Sequence, residues 1–229
     1  MKMKFGALVV DGRGKIGGHV ASKNRAGAYL RTKVTPVNPQ TSAQTLVRSR
    51  LAGLSSGWRA LTQEQRNSWN GAVENFSKTD IFGDVKNPSG VNLYQRLNNE
   101  LLSIGVAPID VAPLPEAVPT VVLQESSVLV GALGTITLLL SGAVPEGVSA
   151  KIFATPGMSP GINFVKSEFR QIGVEAEAAT SPLDVTEDYE AKFGPAVAGL
   201  KYFFKIVFVN TTTGQSSPGQ IVSSIAAEA

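Results

Sequence analysis

A lysine among glycines is the most suggestive chemical feature near the N-terminus, where residues 12–18 read GRGKIGG. A phosphate-binding loop of the Walker type needs a serine or threonine directly after the lysine and a helix beyond it. Here Ile16 follows Lys15, and no helical periodicity begins there. The run therefore predicts a glycine-rich turn in an extended segment and not a nucleotide site.

The titratable side chains offer little for catalysis. His19 is the only histidine and the chain has no cysteine, which excludes disulfides, thiolate chemistry and multi-histidine metal sites. The densest carboxylates, within residues 175–177 and 187–190, lack the ligand spacing of a calcium loop. We therefore expect a protein that is not an enzyme, with no catalytic residue, cofactor or metal, and with His19 and the carboxylates on solvated surfaces.

Charge is distributed unevenly along the 229 residues. Residues 1–60 contain eleven lysines and arginines and one acid, Asp11. Residues 61–115 contain four basic and six acidic residues, and residues 116–229 contain six and eleven. This asymmetry indicates that the two ends face different partners. The predicted docking residues are the cations of the first part, Lys2, Lys4, Arg13, Lys15, Lys23, Arg25, Arg31, Lys33, Arg48 and Arg50.

Two kinds of partner could bind the basic residues 1–60. Nucleic acid would be bound through phosphate contacts, but residues 1–40 contain only Phe5 and Tyr29 as aromatic residues, which is poor for base stacking. An acidic protein surface in an assembly is the interpretation we favour. No stretch reaches the roughly 18 consecutive apolar residues of a membrane span, so we expect no membrane contact and no removed leader.

The first two segments differ in periodicity. Residues 1–40 predict a basic, glycine-punctuated extended arm that orders against a partner, with possible strands at 5–10, 19–24 and 28–34. Residues 41–106 predict a module of three helices: one from Thr41 or Ser42 to about Ser56, ended by Gly57; one behind a Thr62–Gln65 capping box; and one capped by Ser89 and ended by Gly105. Its predicted core residues are Trp58, Trp69, Phe76, Tyr94 and Leu97.

The remainder predicts a stiff connector followed by β-structure. Four prolines fall within residues 107–119, which is typical of an extended linker. Residues 120–229 have short strands and frequent Gly/Pro turns, typical of an all-β sandwich. The predicted core of this part lies on the strongest strand, at Tyr202, Phe204, Ile206 and Phe208. The fold class is therefore α+β and multidomain: arm, three-helix module and sandwich.

Two resemblances add to these patterns. The order of Gly199–Tyr202, the alternating strand, a Thr-Gly turn and Ser216–Pro218 resembles the last two strands of fibronectin type III modules, which implies an Ig-like sandwich. Residues 31–105 resemble virion structural proteins of tailed phages, through the sequence letters PVNPQT, LTQEQRNSW and SGVNLY. That resemblance implies a particle component present in many copies.

Together these features predict a structural protein of a bacteriophage virion, assembled in the host cytoplasm and associated with the capsid, neck or tail. The arm and helical module would dock on other virion proteins in a symmetric assembly, and the sandwich would be displayed. Two alternatives stay open. The basic arm could contact packaged DNA, or the sandwich could bind a host ligand or glycan.

Overall fold

The computed structural model describes residues 2, 3, 6, 12–24, 27–131 and 134–228, and these form a mixed α+β protein. The helices are α1 (Ser42–Ala60), α2 (Gln63–Gly71), α3 (Gly90–Ser103) and α4 (Thr186–Phe193), with a 3-10 helix at Ala72–Phe76. The strands are β1 (Lys2–Met3), β2 (Gly14–Ile16), β3 (His19–Asn24), β4 (Gly27–Thr32), β5 (Lys78–Thr79), β6 (Val85–Lys86), β7 (Leu123–Val130), β8 (Ile136–Leu140), β9 (Val148–Ala154), β10 (Arg170–Glu175), β11 (Leu183–Asp184), β12 (Lys201–Asn210), β13 (Gln220–Ile225) and β14 (Ala227–Glu228). In the described ranges no helix is both long and apolar enough to span a bilayer.

The chain divides into two compact units. One comprises residues 1–49 and 77–87, and the other comprises residues 50–76 and 88–229. This division differs from the predicted one, because the polar loop after Phe76 belongs with the N-terminal residues. The unit that contains the N-terminus is called the basic unit below, and the other is called the main unit.

The basic unit contains an antiparallel sheet of order β1-β4-β3-β2 and the small hairpin β5-β6. The glycine-rich run forms part of this sheet, because Lys15 lies on β2 and Gly17 has a φ of 56° in the turn to β3. The predicted strand at 19–24 has the predicted bounds, and the one at 28–34 is present as β4. The predicted strand at 5–10 lies outside the described residues except for Gly6.

The helical part of the main unit is built around Tyr94 on α3. Its ring centroid lies 5.3 Å from that of Trp69 in an edge-to-face arrangement and 5.5 Å from that of Trp58, geometries that aromatic pairs favour. Trp69, Phe76, Tyr94 and Leu97 are buried, and Trp58 is half-buried. The capping box at Thr62 is present, and the Ser89 hydroxyl accepts from the Asn92 N–H.

The predicted end of α1 at Gly57 is wrong, because the helix continues to Ala60. A Cβ at position 57 would lie 2.8 Å from the Tyr94 hydroxyl oxygen. Glycine is therefore needed here for the close approach of α3 and not for a left-handed turn. The Leu61 N–H also donates to the Gly57 carbonyl, which carries the last turn past the glycine.

The β part of the main unit has two four-stranded sheets, of order β10-β9-β12-β13 and β11-β8-β7-β14. One hydrophobic core contains side chains from both, among them Val128, Ile136, Ile152 and Phe204. The prediction that residues 120–229 are all-β is wrong at α4, a two-turn helix whose Tyr189 is buried in this core. Just before α4, the Asp184 carboxylate accepts the Thr186 N–H at 3.0 Å, which turns the chain where the helix begins.

Helix α3 contacts β9 and the turn that follows β12. The Lys151 ammonium lies 2.7 Å from the Glu100 carboxylate, and both side chains are largely buried. A Cβ at Gly214, in the turn after β12, would collide with the Leu97 carbonyl oxygen. The helices and the sheets are thus parts of one folded unit.

The proline-rich segment is bonded to the rest of the main unit by side chains and does not stand free as a spacer. The Trp69 indole N–H donates to the Asp110 carbonyl at 2.7 Å. The Asn98 amide both accepts from the Ile109 N–H, at 2.6 Å, and donates to its carbonyl, at 3.1 Å. Further along, the Gln215 side chain bonds the Leu114 carbonyl and the Glu116 N–H. We call residues 109–116 the strap.

Replacing Asn98 by alanine should destabilise the main unit by about 2–4 kcal/mol, because two backbone groups of Ile109 lose their partner at a fully buried site. Urea denaturation followed by tryptophan fluorescence measures this. The matched control is Asn99→Ala, the next residue on α3, which is only partly buried. Equal effects of the two substitutions would contradict the role given to Asn98.

Candidate functional site

Four of the predicted docking cations, Lys2, Lys15, Lys23 and Arg31, lie on strands of the sheet in the basic unit, whereas Arg48 and Arg50 lie on α1 and Arg50 belongs to the main unit. Val20 on β3 is paired with Lys15 on the neighbouring strand β2 and with Arg31 on the other neighbouring strand, β4. Directly paired residues share a face of a sheet, so Lys15 and Arg31 lie on the same face. Lys2 is on the same face, since it pairs with Tyr29, two residues from Arg31. Lys23 is on the opposite face by the same alternation. Lys4 and Arg25 lie outside the described residues.

The docking cation Lys2 has a carboxylate partner within the basic unit. Its ammonium lies 3.5 Å from the Asp80 carboxylate, which also accepts the N–H groups of Phe82 at 2.8 Å and Asp84 at 3.1 Å. Burial opposes the charge of Asp80, but these two N–H donors and Lys2 together hold its pKa below the usual range. Lys2 therefore helps to fix the β5-β6 hairpin, while Arg13, Lys15, Arg31 and Lys33 are exposed.

The segment that follows β4 is exposed to solvent along its whole length. Every residue from 31 to 49 is exposed, although the segment has a defined backbone. Its helical part begins behind Thr41, whose hydroxyl accepts the Gln44 N–H at 3.3 Å, and the Arg48 guanidinium donates to Asn38 at 2.8 Å. A segment that is ordered locally but buries no apolar surface of its own is suited to bind another macromolecule.

Helix α1 presents one apolar face along its whole length, but only its last part is covered. Leu54 is 2% exposed, whereas Leu46, Val47 and Leu51 are 52%, 57% and 50% exposed. At 100° per residue these side chains lie within a single stripe, together with Ala43. The spacing of Val47, Leu51, Leu54 and Trp58 in the sequence predicts one helix face, but it does not predict that the first turns of that face are bare. We call Ala43, Leu46, Val47 and Leu51 the bare face.

The electrostatics of the two units are opposite. The basic unit contains eleven lysines and arginines and three aspartates, and the main unit contains ten and fifteen acids. Between residues 12 and 63 the sequence has no acidic residue at all. Apolar side chains in an acid-free, cationic surface can bind a partner that offers apolar groups bordered by carboxylates, and the charges would speed and orient the encounter.

The other residues with possible chemistry are not brought together. His19 is exposed on β3, where it pairs with Ile16 and Thr32. Burial and the nearby Asp188 raise the pKa of Glu175, and the Glu177 carboxylate accepts the Gly147 N–H at 2.7 Å. Among the residues with described positions, no group of three or more potential ligands could hold a metal ion.

Two features of this surface escaped sequence reasoning. Asn38 was noted only as part of the Pro-Val-Asn-Pro run, yet it accepts a hydrogen bond from Arg48 across ten residues. Asp80 was assigned to a polar loop, yet it anchors Lys2. A signal for the second existed, since Asp80 is followed four residues later by Asp84 around Gly83, a pattern typical of a tight turn.

Helix α1 offers a matched pair of substitutions. Leu54→Ala should destabilise the main unit by about 2–4 kcal/mol, because it leaves a cavity in a buried position. Leu51→Ala, one turn earlier, should cost less than about 1 kcal/mol, because that side chain is half exposed. Chemical denaturation of both variants measures the difference. A large effect of Leu51→Ala would mean that the bare face is covered within the chain.

Comparisons of the chain with protein-family models, with curated proteins and with solved structures found no match.

Proposed function

We propose that the chain is a non-enzymatic structural component of a tailed-phage particle, which docks on other virion proteins through its basic unit and α1. The observation that carries the proposal is the exposed, acid-free segment that ends in the bare face. The phage particle as the setting rests on the resemblance that the sequence letters of residues 31–105 suggest, for which the comparisons found no matching family. Residues 31–49 are the continuously exposed part of that stretch. Location in the virion is part of the same proposal.

We also propose that the β part is an Ig-like sandwich of the fibronectin type III kind, displayed by the docked protein. The strand order supports this, because β11, β8 and β7 lie side by side in one sheet, with the two-residue β14 parallel to β7 at its edge, and β10, β9, β12 and β13 form the other. The Tyr202 hydroxyl accepts the Val197 N–H at 2.8 Å and donates to the Val197 carbonyl at 3.2 Å. A tyrosine at the start of the penultimate strand that bonds backbone a few residues upstream is the tyrosine corner of such domains.

Tyr202→Phe should destabilise the main unit by about 1–3 kcal/mol, because it leaves backbone groups of Val197 without their partner in a partly buried place. Thermal denaturation at one fixed protein concentration checks this. If the variant is as stable as the unchanged protein, the tyrosine corner no longer supports a fibronectin type III sandwich.

The second candidate function is contact with packaged DNA, which the lack of acids between residues 12 and 63 also favours. Phosphate binding gives no role to Leu46 and Val47, whereas docking on a protein does. If six to ten phosphates were bound, DNA affinity would fall about 10³- to 10⁵-fold between roughly 50 and 200 mM salt. Fluorescence anisotropy with the full chain and a labelled duplex over that range separates the two functions: a steep fall supports DNA contact, and no binding at the lower salt supports the protein-docking proposal.

The docking proposal is tested by incorporation of charge-reversed protein into phage particles. The triple variant Lys15→Glu, Arg31→Glu and Lys33→Glu should be lost from purified particles, because it replaces three exposed cations of the basic unit. The matched control is Lys166→Glu, Arg170→Glu and Lys192→Glu, which makes the same charge change at three exposed cations of the main unit. Tagged copies expressed during phage growth are quantified in the particles by immunoblot.

Normal incorporation of the basic-unit variant would contradict the docking proposal. Equal loss of both variants would mean that incorporation depends on the net charge of the protein and not on the basic unit. That result would also contradict the docking proposal. The expected result is selective loss of the first variant while the control is retained.

A further inference from the structure

The bare face of α1 needs a partner that supplies both apolar contact and negative charge. Its side chains are half exposed, and Arg48 and Arg50 are the charged residues beside them. The 19 residues of α1 include no acid. Two copies of α1 packed on each other would bring like charges together, and like charges in an interface are unfavourable. A symmetric α1–α1 contact is therefore disfavoured.

The strap of the main unit has the complementary chemistry. Val111 and Leu114 are 56% and 79% exposed, and the exposed residues Asp110 and Glu116 flank them. Apolar side chains and carboxylates thus lie together on one short segment. In the described part of the chain, no salt bridge involves Asp110 or Glu116.

The strap is also held in place before any partner binds. The Trp69 indole fixes the Asp110 carbonyl, the Ser68 hydroxyl accepts the Ala112 N–H, and Gln215 bonds the backbone at Leu114 and Glu116. A surface with its backbone already ordered loses little conformational entropy when it binds, which favours affinity. Its exposed apolar side chains therefore form a prepared contact surface.

We propose that the bare face of one copy docks on the strap of a second copy of this chain. Leu46 and Val47 contact Val111 and Leu114, while Arg48 and Arg50 face Asp110 and Glu116. The contact is heterologous, because the two copies use different surfaces, and each copy keeps one free surface of each kind. Repetition of such a contact gives a closed ring or an open filament.

This inference deepens the proposed structural role and rests on it for the biological setting, but self-association is measurable on the purified full chain without any particle. Sedimentation velocity over about two decades of protein concentration and at roughly 0.05 and 0.5 M NaCl is the first experiment. We expect dimers and larger species at low salt, and dissociation as concentration falls or salt rises. A chain that stays monomeric at the highest concentration in low salt overturns the proposal, whatever the result of the incorporation assay.

The second experiment uses one variant of each surface. Leu46→Gln with Val47→Gln alters the bare face, and Val111→Gln with Leu114→Gln alters the strap. Each variant alone should associate at least about tenfold more weakly. The control, Ile81→Gln with Val85→Gln, replaces two exposed apolar residues on the β5-β6 hairpin and should associate like the unchanged chain. Urea denaturation checks that all variants are folded.

Mixing the two variants gives the decisive result. Each variant lacks the surface that the other retains, so an equimolar mixture should form a 1:1 dimer and nothing larger, with an affinity close to that of the unchanged chain. A mixture that stays monomeric, or a control that weakens association as much as the two surface variants, overturns the pairing of the bare face with the strap.

Discussion

The structure of the main unit depends on the burial of α3 on two sides. On one side Tyr94 and Leu97 pack with the tryptophans of the helical part, and on the other Glu100 binds Lys151 of β9. The pair at 2.7 Å is a costly arrangement to break, because removal of either partner leaves a charge that is mostly shielded from water. Gly57 and Gly214 permit the close approaches on the two sides. Helix α3 thus joins the helical part of the main unit to the sheets. The same helix also holds the strap in place, through Asn98.

This constraint explains why exposure is concentrated elsewhere. The main unit is stabilised by its own hydrophobic core. Residues 31–49, in contrast, contribute almost no buried surface to the fold. Ordering a backbone costs about 1–2 kcal/mol per residue, and the hydrogen bonds at Thr41 and Asn38 offset only part of that cost. Contacts with another molecule would add stabilisation to this segment, and this is why the exposed segment, rather than the compact core, is the place to seek function.

The sequence predicted local features well and long-range contacts poorly, for a physical reason. The capping residues Thr62 and Ser89 and the strand Lys201–Asn210 are set by neighbours a few residues away, and they are where the patterns placed them. Gly57 was misassigned because its role depends on Tyr94, 37 residues later. The fixing of the strap depends on Asn98 and Trp69, and nothing in a proline-rich composition reveals which side chains will bond its backbone. The docking cations were predicted from charge alone, but which face of the sheet each occupies follows only from strand register.

The cations of the sheet and those of α1 serve two separable purposes in this scheme. The contact between copies uses Arg48 and Arg50, whereas Lys15 and Arg31 lie on the sheet face and take no part in it. A protein with one surface for its own kind and another for a different partner can form an array and attach that array to a base. The charge distribution suits such a division, because the strap offers Asp110 and Glu116 to α1, while Lys15 and Arg31 stay exposed on the sheet for a second partner. Salt would weaken both contacts, because exposed charges contribute to each of them.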